Sequence, residues 1–77
     1  MNSDILTFVD GKFFKDFPQT EGITKRIKQE VPSNTYVYHP GGGTWEASWY
    51  LYKWNNFTPI NLSDVPKELK AALLILI

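Results

Sequence analysis

Apolar and polar positions alternate near the start of the chain and predict a β-hairpin. Residues 5–9 and residues 12–15 flank Asp10-Gly11. This dipeptide supplies the positive backbone angles that a two-residue turn needs between right-twisted strands. In this register Phe8 faces Phe13 across the strands, so one face of the hairpin is apolar.

Two later segments carry apolar residues at helical spacing. In residues 20–31, isoleucine or valine recurs every fourth position with charged residues between, which predicts a narrow amphipathic helix that ends before Pro32. Residues 63–66 hold a capping serine, an acid and a proline, which is the composition of a helix start. Residues 67–77 follow and are apolar on almost every side, so this helix needs cover on almost every side.

The segment between these helices predicts a second hairpin, with strands in residues 34–39 and 44–54 and a Pro-Gly-Gly-Gly turn in residues 40–43. If His39 pairs with Thr44, one face of this hairpin is strongly apolar and should face the core. The apolar face then carries Tyr36, Tyr38, Trp45, Ala47, Trp49 and Leu51. The other face carries Thr35, Val37, His39, Thr44, Glu46, Ser48, Tyr50 and Tyr52.

After this hairpin, Asn55-Asn56 indicates a turn, and residues 57–60 predict a short edge strand. The main elements in order are β-β-α-β-β-α. This pattern predicts an α+β fold, with an antiparallel sheet of two hairpins and two helices packed on it. We interpret residues 1–77 as one small domain.

Composition limits how such a domain is stabilised. A chain of 77 residues buries only about 60% of its unfolded surface. There is no cysteine and only one histidine, so disulfides and thiolate zinc sites are excluded and no metal or other cofactor is expected. The chain holds twelve aromatic residues, eight of them between positions 36 and 57. Stability is therefore expected from an aromatic core or from surface buried against a partner.

Charge and hydropathy limit the expected partners and location. Eight basic residues balance eight acidic ones, so the basic footprint of a duplex-binding protein is missing. The longest apolar run, residues 71–77, is far shorter than the roughly 20 residues that span a membrane. The first residues do not resemble a signal peptide. We expect a soluble cytoplasmic protein that does not bind membranes.

Candidate catalytic chemistry is sparse. Ser48 is near His39 in the proposed hairpin, but no acid is placed to orient the imidazole. The three glycines at 41–43 lack the lysine and the helix that follow a phosphate-binding loop, so they indicate a hairpin tip. The sequence therefore predicts no catalytic residue and no enzymatic activity.

The remaining function class is recognition. We predict a protein-binding domain that contacts a partner of unknown identity through its aromatic hairpin. The predicted contact residues are His39, Glu46, Tyr50, Tyr52 and Trp54. Alternatively, a helix or the first hairpin covers this face, and both tyrosines are core residues. One such role is that of a small accessory or inhibitory protein of a phage or mobile element that acts on a host protein. No motif in the sequence supports this role.

Two further hypotheses use other surfaces. A single-stranded nucleic-acid binder would stack bases on the tyrosines and hold phosphates with basic residues. Those basic residues are Lys25, Arg26, Lys28 and Lys53. A homodimer would bury the apolar last helix between two copies of the chain. Its interface residues are Leu73, Leu74, Ile75, Leu76 and Ile77.

Overall fold

The protein forms a five-stranded antiparallel sheet with two helices. The computed structural model describes residues 4–42 and 46–76. The strands are β1 (Ile5–Val9), β2 (Lys12–Phe17), β3 (Thr35–His39), β4 (Ser48–Lys53) and β5 (Asn56–Ile60), and the helices are α1 (Ile23–Glu30) and α2 (Lys67–Leu76). The strand order across the sheet is β2-β1-β3-β4-β5. The α+β prediction is confirmed at this level.

The predicted β-β-α-β-β-α order of two hairpins needs a correction, because β5 is a full strand that forms a third hairpin with β4. The turn consists of Trp54 and Asn55, with φ angles of 52° and 62°. It therefore lies one residue earlier than the predicted Asn55-Asn56 turn. Tryptophan favours strands and rarely adopts a positive φ, so its residue type extended the predicted strand by one position.

The second hairpin has a longer connection than predicted. His39 pairs with Ser48 and not with Thr44, while residues 43–45 lie outside the described parts of the chain. The register moved by four positions, and an even shift leaves the described side chains of β3 and β4 on their predicted faces. Tyr38 therefore lies opposite Trp49 and not opposite Trp45, but both Tyr38 and Trp49 remain on the face that the sequence predicted.

A β-bulge in the first hairpin changes the face that β2 presents. The Asp10-Gly11 turn has the predicted positive φ angles, and Phe8 pairs with Phe13 as expected. The register then shifts, so that Phe17 pairs with Ile5. Without the extra residue Phe17 would lie on the opposite face. The bulge therefore directs Phe17 into the core under α1.

The two helices cover opposite faces of the sheet. The cluster under α1 comprises Ile5, Phe17, Ile27, Val31, Val37 and Tyr52. The cluster under α2 comprises Leu6, Phe8, Trp49, Val65, Leu69 and Leu73. Strand β1 contributes to both clusters, and its first four residues are buried. Its buried hydroxyl is satisfied, because Thr7 Oγ1 donates to the Lys15 carbonyl at 2.5 Å.

Backbone geometry sets where both helices begin. Helix α1 begins at Ile23, three residues later than predicted, because Gly22 has a left-handed φ of 78°. Helix α2 follows a 3₁₀ turn at Leu62–Asp64 and begins just after Pro66. Within the described ranges, neither helix has the length and apolar character needed to cross a membrane.

Candidate binding groove

An open groove lies beside α1 on the sheet face that this helix covers. It has a volume of about 480 Å³. The helix packs on Phe17, Ile5 and Val37, while Tyr50 and Phe57 on the neighbouring strands remain half-buried. The lining residues are Ile5, Gln19, Thr20, Ile23, Thr24, Ile27, Val37, His39, Tyr50 and Phe57. The groove therefore has an apolar floor on strands and one helical wall.

The helical wall is apolar at its base and polar at its rim. Ile23 and Ile27 point towards the sheet, and Thr24 stands at the edge of the groove. Lys28 is four positions after Thr24 and so lies on the same side of the helix. Its ammonium is 5.7 Å from the centroid of the Phe57 ring. A positive charge therefore marks the Phe57 end of the groove.

The opposite end is closed by a hydrogen-bonded loop. The Gly41 N–H donates to His39 Nδ1 at 3.0 Å, and Gln19 Nε2 donates to the Gly41 carbonyl at 3.2 Å. An imidazole whose Nδ1 accepts a hydrogen bond from the backbone is the neutral form with its proton on Nε2. Burial also lowers the pKa of His39 from its usual 6.5. This end of the groove is therefore uncharged at neutral pH.

The acidic side chain of α1 lies away from the groove. Glu30 pairs with Lys15 and with Arg26, whose Nε is 2.7 Å from Glu30 Oε2. These two hydrogen bonds lower the pKa of Glu30. Lys15 and Arg26 both stand 5.4 Å from the Phe17 ring centroid, which is on the β2 side of the helix. Glu30 therefore does not neutralise Lys28.

The structure separates the predicted partner-contact residues. His39 and Tyr50 meet in the groove. Tyr52 is only 4% exposed, and its hydroxyl donates to Asn55 Oδ1 at 3.0 Å. Of the two alternatives for this face, cover by a helix therefore holds for Tyr52, and an open surface holds for Tyr50. Glu46 and Trp54 are exposed outside the groove lining.

The predicted basic residues do not share one surface. Arg26 and Lys28 lie on opposite sides of α1, as their ring contacts show. Lys25 is exposed on the side of α1 that points away from the sheet. Lys53 alternates with Tyr52 along β4 and so belongs to the other sheet face.

The predicted oligomer residues differ in exposure. Leu73 is buried in the cluster under α2, and Leu76 packs partly against it. Leu74 and Ile75 are 75% and 85% exposed. Ile77 lies outside the described residues.

Sequence reasoning missed part of the groove lining: Ile23 and Thr24 on α1, Phe57 on β5, and Gln19 and Thr20 before α1. The four-residue spacing of the isoleucines showed that α1 packs on a sheet. It did not show that the helix leaves the β4–β5 part of that face open.

Compared with protein-family models, with curated proteins and with solved structures, the chain matches none of them.

Proposed function

We propose that this chain is a small non-enzymatic protein-binding domain that holds a segment of its partner in the groove beside α1. The observation that carries the proposal is the open apolar groove with the half-buried aromatic rings of Tyr50 and Phe57 on its floor. Its volume of about 480 Å³ lies within the range of roughly 300–1,000 Å³ typical of ligand sites.

The construction of the groove suits binding. Its floor consists of side chains on paired strands, and Val37 and Tyr50 are cross-strand neighbours. Side chains held in this way lose little conformational freedom when a partner binds. Aromatic rings also supply large contact area with few rotatable bonds. The polar atoms of Gln19, Thr20 and His39 at one end can fix the orientation of the bound segment.

The proposed domain acts by binding and covering a segment of its partner. Among the described residues, the groove provides apolar contact, a neutral imidazole and the Lys28 ammonium at its end, and this set suits recognition better than bond making. An accessory or inhibitory role towards a larger protein is consistent with such a surface and forms part of the proposal.

A substitution that fills the groove tests this function. Thr24 is exposed at the groove edge, so Thr24→Trp should place an indole over the floor without disturbing the core. The matched control is Gln29→Trp, which adds the same side chain on the outer side of the same helix. We expect short random peptides selected by display on the wild-type protein to bind Thr24→Trp at least about tenfold more weakly, a loss of roughly 1.4 kcal/mol.

The two variants decide the outcome together. Selected peptides should bind Gln29→Trp as tightly as they bind the wild type, with circular dichroism showing that both variants are folded. The proposal is wrong if the peptides bind Thr24→Trp unchanged, or if selection enriches no peptide that depends on the groove.

A further inference from the structure

We infer that the groove takes a short extended peptide segment that carries an apolar side chain and, one or two positions away, an acidic one. This inference rests on the proposed function and names the chemistry of the partner. The apolar side chain packs on Val37 and Tyr50 in the middle of the groove. The carboxylate lies at the Phe57 end, where it pairs with the Lys28 ammonium.

The length of the groove sets the length of the segment. His39 pairs with Ser48, and Phe57 pairs with Tyr52, so the two ends of the groove are four residues of β4 apart. At about 3.3 Å per strand residue the groove is roughly 13 Å long. An extended peptide of about four residues spans this distance. An apolar residue at the centre therefore places a residue one or two positions away within reach of Lys28.

The distribution of charge sets the preference for an acid. None of the residues that line the groove is a carboxylate. In the described parts of the chain Lys28 has a ring contact and no ion pair. Glu30, the nearest acid along α1, is engaged by Lys15 and Arg26 on the far side of the helix. An incoming carboxylate therefore meets an ammonium that is paired with no acid among the described residues.

The apolar wall beside Lys28 strengthens such a pair. The ammonium stands over the Phe57 ring, so part of its surroundings is hydrocarbon and not water. A charge pair beside apolar surface is screened less than one in open solvent. Lys28 is still exposed, which keeps the effect moderate. We expect a carboxylate at this position to tighten binding by about threefold to tenfold, since charge-assisted hydrogen bonds are stronger than neutral ones.

The test compares matched peptides on matched variants. From the peptides that depend on the groove, one is synthesised with its glutamate or aspartate and again with the corresponding amide. The wild-type protein should bind the acidic form more tightly, and Lys28→Gln should bind both forms equally. Lys28→Glu should prefer the amide form. Lys25→Glu makes the same charge change on the outer side of α1 and should keep the preference of the wild type.

The outcomes separate this inference from the function on which it rests. If peptides that Thr24→Trp excludes show no preference for an acid, or if Lys28→Glu and Lys25→Glu behave alike, the inference is wrong and the binding function stands. If no selected peptide depends on the groove, the binding function itself fails. Self-association that Thr24→Trp abolishes would show that a second copy fills the groove, which also overturns the inference.

Discussion

Three phenylalanines of β2 have different environments although they lie within five positions of one another. Phe13 and Phe14 are about half exposed, while Phe17 is fully buried. The bulge between them explains the difference, because it inserts one residue and reverses which face the following side chains occupy. Phe17 then contacts the side chains of Lys15 and Arg26 on one side and the core on the other.

Truncating Phe17 should therefore destabilise the domain strongly. Phe17→Ala removes a fully buried ring, which costs about 3–5 kcal/mol. Because small domains have only about 5–15 kcal/mol of total stability, the variant should unfold at much lower urea concentration, followed by far-ultraviolet circular dichroism. Phe14→Ala is the control and should change the free energy of unfolding by less than about 1 kcal/mol. Equal effects of the two substitutions would contradict the bulged register.

The residue pattern predicted which sheet face a side chain occupies better than it predicted how exposed that side chain is. Strand alternation placed Tyr50 and Tyr52 on one face, and the structure agrees. Their burial differs because α1 lies over Tyr52 and beside Tyr50, and the position of a helix on a sheet depends on contacts between residues distant in sequence. For the same reason the sequence could assign His39 and Tyr50 to one surface but could not assign Thr24 or Phe57 to it.

Among the elements, the third hairpin has an unusual turn. Two-residue turns of this kind favour Asn-Gly, yet Trp54 occupies the first turn position with a φ of 52° and an exposed fraction of 76%. A left-handed conformation costs a non-glycine residue roughly 1–2 kcal/mol, and asparagine tolerates it better. Trp54 therefore carries a backbone cost within this turn, while its contact with a partner stays a prediction.

Relieving this turn should stabilise the protein. Trp54→Asn is expected to raise the free energy of unfolding by roughly 0.5–1 kcal/mol, because asparagine accepts a positive φ. Trp54→Val places a β-branched residue at the same angle and should lower it. Thermal unfolding of both variants measures the difference. A stability of Trp54→Asn below that of the wild type would show that the tryptophan ring makes contacts that outweigh the backbone cost.

The sequence predicted a short edge strand over residues 57–60, and Pro59 gives a physical reason for the edge position of β5. Pro59 pairs with Tyr50 of β4, and β5 is the last strand of the sheet in the described parts of the chain. A proline in an edge strand removes an N–H that another chain would otherwise pair with. The sequence therefore indicated an edge position for this strand. It did not indicate the turn before β5 correctly, because tryptophan is a residue type typical of strands.

For the whole molecule, the sequence predicted the α+β class and an antiparallel sheet, but it did not predict the strand order or which face each helix covers. Strands β2 and β3 both pair antiparallel with β1, so they are parallel to each other and α1 is the crossover between them. The handedness of such crossovers fixes the face of α1, but only once the strand order is known. That order depends on the pairing of β1 with β3, which is distant in sequence.

The predicted homodimer through α2 concerns the molecule as a whole and can be tested with a double substitution. Leu74 and Ile75 are the largely exposed apolar residues of this helix, and a stable interface contains roughly 20–30 residues on each side. We expect Leu74→Gln with Ile75→Gln to change the free energy of unfolding by less than about 0.5 kcal/mol each. Any concentration-dependent sedimentation that arises through α2 should disappear in this double variant. Self-association that survives would place the contact elsewhere.

The sheet separates the two hydrophobic clusters, and this separation affects how the sequence can evolve. Among the residues that the structure describes, the cluster under α2 shares no side chain with the groove beside α1, so energetic coupling between them should be weak. Substitutions at the exposed rim of the groove, such as at Gln19, Thr20 and Thr24, can then accumulate while both clusters preserve the fold. A lineage of such proteins would be free to exchange one target for another without first acquiring a new architecture.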